Sequence, residues 1–279
     1  MNTKKVWLVT GASKGLGLAL VKKLLNENYR VAATSRSVES LVSKIGDISE
    51  NFLPIELNLT DDTAVKSTIA KIISHFGQLD VVVNNAGYGQ IGTLEELSDK
   101  EARTNFDINV FGTLNIIRNT MPYFREQKSG HIFNISSVGG FSASFPGWGI
   151  YCSTKFAVAG LTESLSEEAK SFGIHATVVY PGYFRTDFLS KDSAKTPEHP
   201  IAAYEEARNS EQAHLDQING NQPNDPEKAA EVLISISKEE NPPLHLLLGI
   251  DAYDILKNKT DIMLQAAEQW KNYTLSTAL

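Results

Sequence analysis

Residues 6–17 read Val6-Trp7-Leu8-Val9-Thr10-Gly11-Ala12-Ser13-Lys14-Gly15-Leu16-Gly17. The apolar run Val6–Thr10 has the composition of a short buried strand, and apolar residues from Leu16 to Asn26 recur at helical spacing. Between them lie three glycines spaced G-xxx-G-x-G. Glycine there permits a tight turn and lets the backbone come close to a phosphate, whose charge then meets the N-terminus of the following helix. The spacing is not the ordinary dinucleotide G-x-G-x-x-G. Strand, glycine turn and helix form the start of a βα unit.

Outward from this stretch the unit repeats. Arg30–Ser35, Leu53–Leu57, Leu79–Val83 (interrupted by Asp80), His131–Ile135, His175–Tyr180 and Leu244–Leu248 read as strands. Glu39–Lys44, Asp61–Phe76, Lys100–Arg125, a segment from near Tyr151 through Phe172, Glu227–Ser237 and Asp251–Asn272 read as helices. The long helix from Lys100 is expected to break or end near Pro122, and Asp225-Pro226 reads as N-cap and first helical residue. Apolar strands alternating with helices predict an α/β, Rossmann-like, doubly wound parallel sheet in a single domain, residues 1–279. The polar excursion Ser190–Pro223, with a helical patch near Ala203–Gln217, is expected to be a substrate lid. Residues 251–279 form a C-terminal helical extension, with the tail after Tyr273 read as loose.

Composition narrows the function. The 279 residues are 42% apolar and 21% charged, with a net charge of -7. That balance suits a globular protein and argues against a broad nucleic-acid or anionic-membrane surface. No apolar run approaches the ~20 residues of a membrane span. The chain enters a strand at Lys5 without a signal-peptide pattern, and its single Cys152 cannot form an internal disulfide. A cytoplasmic location is therefore expected. The six histidines make no metal-ligand spacing, so no metal site is expected.

Further motifs follow the strands. The second strand ends Ala33-Thr34-Ser35-Arg36, where an NAD site wants an acid for the ribose 2′-hydroxyl. Arg36 stands there instead, and Lys14 adds a second cation, which points to NADP. Asn84-Asn85-Ala86-Gly87 offers fixed amides and small residues for close approach of a ligand. Asn109 sits inside the long helix, where asparagine competes for backbone hydrogen bonds; a local bend with a freed carbonyl is the functional reading, and a satisfied polar residue is the commoner one for an isolated asparagine. Ser136-Ser137 closes the fifth strand, and Pro181-Gly182 with Thr186 follows the sixth. Tyr151 and Lys155 lie four apart on one helix face, where an ammonium would draw the phenol pKa downward. A phenol tuned in this way can exchange a proton with a carbonyl or alcohol oxygen.

Together these positions resemble a classical short-chain dehydrogenase/reductase over about Lys4–Ile250. Thr10–Gly17 resembles the family's cofactor loop, Asn84–Gly87 its NNAG motif, and Asn109, Ser137, Tyr151 and Lys155 its catalytic set. The resemblance implies that Tyr151 is the acid/base, that Lys155 binds the nicotinamide ribose and lowers the tyrosine pKa, that Ser137 polarises the carbonyl, and that Asn109 holds a relay water. It implies a dinucleotide held by Gly11, Ser13, Lys14, Gly15, Leu16 and Gly17, by Ser35 and Arg36, by Asn58 and Leu59, and by Asn85, Ala86 and Gly87. Tyr151, Lys155, Pro181, Gly182, Phe184 and Thr186 complete that set. It also implies a homodimer or homotetramer formed through the long helices, and hydride transfer between nicotinamide and a small carbonyl compound or secondary alcohol; reduction with NADPH is the expected direction because the NADP pool is usually reducing. Phe141, Phe145, Trp148, Tyr88, Tyr183, Phe184 and Phe188 near these motifs point to an apolar substrate. The competing reading is a non-catalytic NADP-binding sensor or scaffold, which would be expected to lose Tyr151 or Lys155. Two departures stand out. Ser137 to Tyr151 is one position longer than the family's usual separation, and Asn58 replaces a common aspartate.

Overall fold

The computed structural model describes residues 4–279. Seven parallel strands form the central sheet: β1 Val6–Val9, β2 Arg30–Ser35, β3 Phe52–Glu56, β4 Val81–Asn84, β6 Gly130–Ile135, β7 Ile174–Pro181 and β9 His245–Leu248. Their order is β3-β2-β1-β4-β6-β7-β9, so the topology reverses at β1 beside β4. Two short strands, β5 Gly89–Gln90 and β8 Ala194–Lys195, pair with each other above the carboxyl edge.

Period-two alternation decides which side chain faces which layer. Along β1, Trp7 and Val9 join one core, with helices α1 Gly15–Asn26, α2 Val38–Ile45 and α8 Pro226–Ile236. Val6 and Leu8 join the opposite core, with α3 Asp62–Phe76, α5 Gly112–Gln127 and α6 Gly149–Ala169. Both faces are thus covered, which is why the strands read as continuous apolar runs. Asp80 interrupts no strand; it precedes β4, and its carboxylate accepts from Val6 N at 2.6 Å.

Helix ends follow their side chains. Asp61 caps α3 by accepting from Ala64 N at 3.0 Å, and Ser98 with Glu101 forms a capping box on α4, Asp99–Phe106. Between α4 and α5 a π-helical turn, Asp107–Phe111, carries Asn109. The helix expected to break at Pro122 runs through it to Gln127. Pro122 removes one backbone bond, but Ile116, Ile117 and Phe124 on either side anchor the helix in the core. The distortion lies at Asn109 instead.

After β7 the polar segment is ordered by α7, Glu205–Gln212, and a second π-helical turn, Ala213–Ile218. It is fastened to the loop before α4. Arg208 Nη2 lies 2.8 Å from Glu96 Oε2, and Glu96 Oε1 accepts from Ile201 N at 2.7 Å. Burial by itself would raise the Glu96 pKa, but the Thr93 and Ile201 amides and Arg208 bring it below the ordinary carboxylate value. The C-terminal extension is α9, Ile250–Gln269, followed by α10, Lys271–Leu275. The tail read as loose after Tyr273 is therefore helical to Leu275. α9 packs on the domain through Ala252, with Ile255, Leu256 and Lys259 partly buried; from Thr260 onward every residue is exposed.

Candidate active site

All parallel strands deliver their carboxyl ends to one edge, and the functional motifs converge there on a cavity of about 480 Å³. Thr10 follows β1 and ties two of the cavity's loops together. Its hydroxyl oxygen accepts from Asn85 N at 3.0 Å and Ala86 N at 3.1 Å, while Asn85 Nδ2 donates to Thr10 O at 2.9 Å and Gly11 O at 3.1 Å. The loop after β4 is thereby pinned to the glycine loop. Gly11 has φ +64°, and a Cβ there would lie 2.7 Å from Ala86 Cα; a Cβ on Gly17 would lie 2.5 Å from Asn85 Nδ2. The glycines permit this contact between loops as well as any approach of a ligand.

One end of the cavity is cationic. Lys14 and Arg36 line it after β1 and β2. Lys44, from the last turn of α2, donates to Ser13 O at 2.8 Å and adds its charge to the group. Burial and the charges of Arg36 and Lys44 lower the Lys14 pKa, opposed by Asp192 and Asp187 across the cavity. Asn58 closes the same region with an Asx turn, accepting from Thr60 N at 3.2 Å and Thr60 Oγ1 at 2.9 Å, which leaves its amide N–H groups free. Ser35 spends its hydroxyl on Ser37 O at 2.7 Å. Leu16, Leu59, Ala86, Gly87, Pro181, Gly182, Phe184 and Thr186 also line the cavity.

At the other end stand Ser137, Tyr151 and Lys155. Ser137 leaves β6 and caps a single 3₁₀ turn, Val138–Gly140, accepting from Gly139 N at 3.0 Å. Serine and tyrosine stay together across the longer loop. A Cβ placed on Gly139 would lie 3.5 Å from Ser137 Oγ and 3.6 Å from Tyr151 Cε1. Tyr151 is 7% and Lys155 5% exposed. Lys155 Nζ donates to Ile135 O at 2.8 Å and lies 5.8 Å from the Tyr151 ring centroid. Burial lowers the Lys155 pKa to about 8. The Tyr151 pKa moves the other way from the sequence expectation: burial raises it, with the Ser137 hydroxyl only partly opposing. Lys155 is directed at a carbonyl and the ring, not at the phenol oxygen.

Asn109 stands behind this group. Its Oδ1 accepts from Tyr88 N at 3.0 Å, and its Nδ2 donates to Tyr88 O and Thr154 Oγ1, each at 3.0 Å. Its backbone carbonyl accepts from Thr113 Oγ1 at 2.9 Å, so the π-helical turn does not leave it free. The aromatic expectation divides. Phe145, Trp148, Tyr88, Tyr183, Phe184 and Phe188 line the cavity, whereas Phe141 turns away to pack edge-on against Tyr180.

Several residues escaped the sequence reading. Asp251, at the start of α9, accepts from Tyr183 N at 2.6 Å and from Asn224 Nδ2 at 2.8 Å, and Asn224 Nδ2 also reaches Tyr183 O at 2.9 Å. This bracket fixes the turn after β7. Asp192, Ser193, Lys195, His214 and Gln222 reach the cavity from the polar segment. No local motif announces them; only the fold brings them in. Cys152 lines the cavity beside Tyr151, and burial raises its thiol pKa to about 11, so it is an inert thiol at neutral pH. Among the described residues no group of three or more His, Cys, Asp or Glu is placed to hold a metal ion, and no helix is long and apolar enough to cross a membrane.

The sequence model of the short chain dehydrogenase family matches residues 5–197. The chain belongs to that family. It is 34% identical over 282 aligned residues to oxidoreductase BOA17 of Botryotinia fuckeliana, an alignment covering 98% of this chain and 99% of that one. A solved short-chain dehydrogenase from Streptomyces avermitilis is 36% identical and superposes with a TM-score of 0.88 over 98% of this chain and 100% of its own. ElxO, solved with NADP bound, is 30% identical with a TM-score of 0.72 over 88% of this chain and 96% of its own. This short-chain dehydrogenase is thus an oxidoreductase with a nicotinamide-cofactor fold. Its cavity fits such a group: Gln222 Oε1 and Ser193 Oγ are buried without partners on its wall, and a cation cluster closes one end.

Proposed function

We propose that this short-chain dehydrogenase is an NADPH-dependent reductase of an apolar carbonyl compound. One observation carries the reading. A buried lysine, a buried phenol and a serine hydroxyl share one cavity with a glycine loop closed by Lys14, Arg36 and Lys44. Three cations with no acid at the end of β2 match a 2′-phosphate better than a bare ribose. ElxO, with NADP bound, lends the same preference.

Bound NADPH supplies the hydride. The chain supplies the rest. The cation cluster would hold the 2′-phosphate, and the glycine loop with the α1 N-terminus would take the pyrophosphate. Asn58 would offer its free amide protons to the base, and Thr186 with the Pro181-Gly182 turn would hold the carboxamide. Ser137 donates to the substrate oxygen. Burial keeps the Tyr151 phenol protonated at neutral pH, the form a reduction needs, and Tyr151 gives its proton to that oxygen. Lys155 has one recorded acceptor, so two ammonium protons remain for a ribose hydroxyl. Its charge steadies the phenolate left after transfer. Asn109 positions this set by holding Tyr88 and Thr154. Residues 190–223 act as the lid, bringing His214 and Gln222 over the site, and the aromatic wall selects apolar substrates.

The long helices expose Phe111 at 52% and Phe156 at 43%. We assign this face to a homodimer or homotetramer contact; a monomer by light scattering would refute it. For the reaction, purified protein should oxidise NADPH with aryl ketones or aldehydes. Tyr151→Phe should abolish turnover while leaving NADPH fluorescence titration intact. A wild-type protein that binds NADPH and reduces none of a broad carbonyl panel would overturn the reading.

A further inference from the structure

The wall facing Tyr151 carries a polar pair that the reduction does not use. Tyr183 follows the Pro181-Gly182 turn, and His214 sits in the π-helical turn of the lid; both line the cavity. His214 Nδ1 lies 2.7 Å from Ser210 O, and His214 Nε2 lies 3.0 Å from the Tyr183 hydroxyl. A backbone carbonyl can only accept, so Nδ1 carries the ring proton. Burial lowers the His214 pKa, which keeps the ring neutral and leaves Nε2 as an acceptor. The Tyr183 O–H therefore donates to His214, and its proton is committed there. What Tyr183 offers the cavity is an oxygen that accepts. Tyr183 and His214 line the same cavity as Tyr151 and Cys152.

Two further features fix the pair. The Asp251 carboxylate and Asn224 bracket the Tyr183 backbone, and the His214 ring packs 4.9 Å from Trp148, itself 5.5 Å from Tyr151. Trp148 is buried, and its ring holds the His214 ring beside Tyr151. The wall at this end thus supplies an acceptor without a proton to give. A substrate hydroxyl group matches it, whereas an ether or carbonyl oxygen and an alkyl group do not.

We infer that Tyr183, held by His214, is a specificity-determining residue that selects carbonyl substrates bearing a hydroxyl group near the reacting carbonyl. The inference rests on the proposed reductase reading. Tyr183 contacts the substrate hydroxyl, and His214 acts through Tyr183 as a positioning residue.

The test uses the full chain with NADPH and three ketones: 2-hydroxyacetophenone, 2-methoxyacetophenone and acetophenone. The methoxy compound keeps the electron withdrawal of the hydroxyl and lacks its proton. Wild type should favour the hydroxy over the methoxy compound by about 10-fold or more in kcat/KM. Tyr183→Phe should bring that ratio toward one. His214→Phe, which frees the Tyr183 proton, should also lower it, by raising the methoxy compound relative to the hydroxy. His214→Gln, which keeps an acceptor for Tyr183, should restore the preference. If Tyr183→Phe does not fold, the two His214 variants carry the comparison. A wild type indifferent to the hydroxyl, or a preference unchanged in Tyr183→Phe or His214→Phe, overturns the inference while reductase activity stands. Failure on all three ketones while other carbonyls are reduced overturns this inference alone; failure across a broad carbonyl panel overturns the reductase reading, and this inference with it.

Discussion

The two ends of the cavity are built differently. The end holding the glycine loop is made of short motifs, each on one turn after one strand: Thr10–Gly17, Asn84–Gly87 and Ser35-Arg36. The end facing Tyr151 is assembled from Trp148, Tyr183, His214 and Asp251, which share no local pattern and meet only through tertiary structure. On the proposed function, the first end would bind a chemically constant cofactor, which backbone geometry can do. The second would fit one substrate among many, with side chains from residues 190–223 and the start of α9. The difference teaches that family membership resides in the first end and individuality in the second.

The comparison breaks hardest at Lys155, which joins the two ends. Lys155→Met should cut kcat/KM by about 10²–10³-fold and at the same time stabilise the fold. Folded Lys155 has its pKa near 8, below the ordinary lysine value of 10.5. Below pH 8 both folded and unfolded states are protonated, and the folded state carries the full penalty of a buried ammonium. Between 8 and 10.5 the unfolded state binds more protons, so stability rises with pH and the penalty disappears. At pH 7 the Met variant should gain on the order of 3 kcal/mol in urea unfolding. The same titration predicts that NADPH affinity in wild type falls as pH rises through about 8, measurable by fluorescence titration.

Next in size is the cationic cluster. Arg36→Ala combined with Lys44→Ala should weaken NADPH binding by about 10- to 100-fold and leave NADH binding little changed. Tighter NADH than NADPH binding in wild type would contradict the cofactor assignment. At the lid, Arg208→Ala leaves the buried Glu96 carboxylate without its ion pair. Amide exchange across residues 201–212 should quicken by about 10-fold or more, with KM rising and NADPH affinity held. The smallest effect is expected from ending the chain after Lys259. Every residue from Thr260 onward is exposed, so Tm should move by less than about 2 °C.

The sequence made the sheet legible because apolar strands buried on both faces leave little ambiguity, and each strand matched its reading within a few residues. The glycine loop, the NNAG turn and the Tyr151–Lys155 pair were legible because their spacing is local. Other features were not. Pro122 looked like a break, but core packing on both sides carried the helix past it, and the distortion appeared at Asn109. The Tyr151 pKa was expected to fall through Lys155, yet burial outweighs an ammonium that points to the Ile135 carbonyl. Lys44, Asp251 and His214 gave no local signal, because their partners lie far away in the chain.

The most direct measurement follows the hydride itself. Wild-type protein is incubated with an aryl ketone and NADPH deuterated at the transferable position of nicotinamide C4, and the product is analysed by mass spectrometry. The account predicts an alcohol carrying deuterium on the carbinol carbon, and no such product from Tyr151→Phe. Tight NADPH binding with no deuterated alcohol from any ketone or aldehyde tried would contradict it.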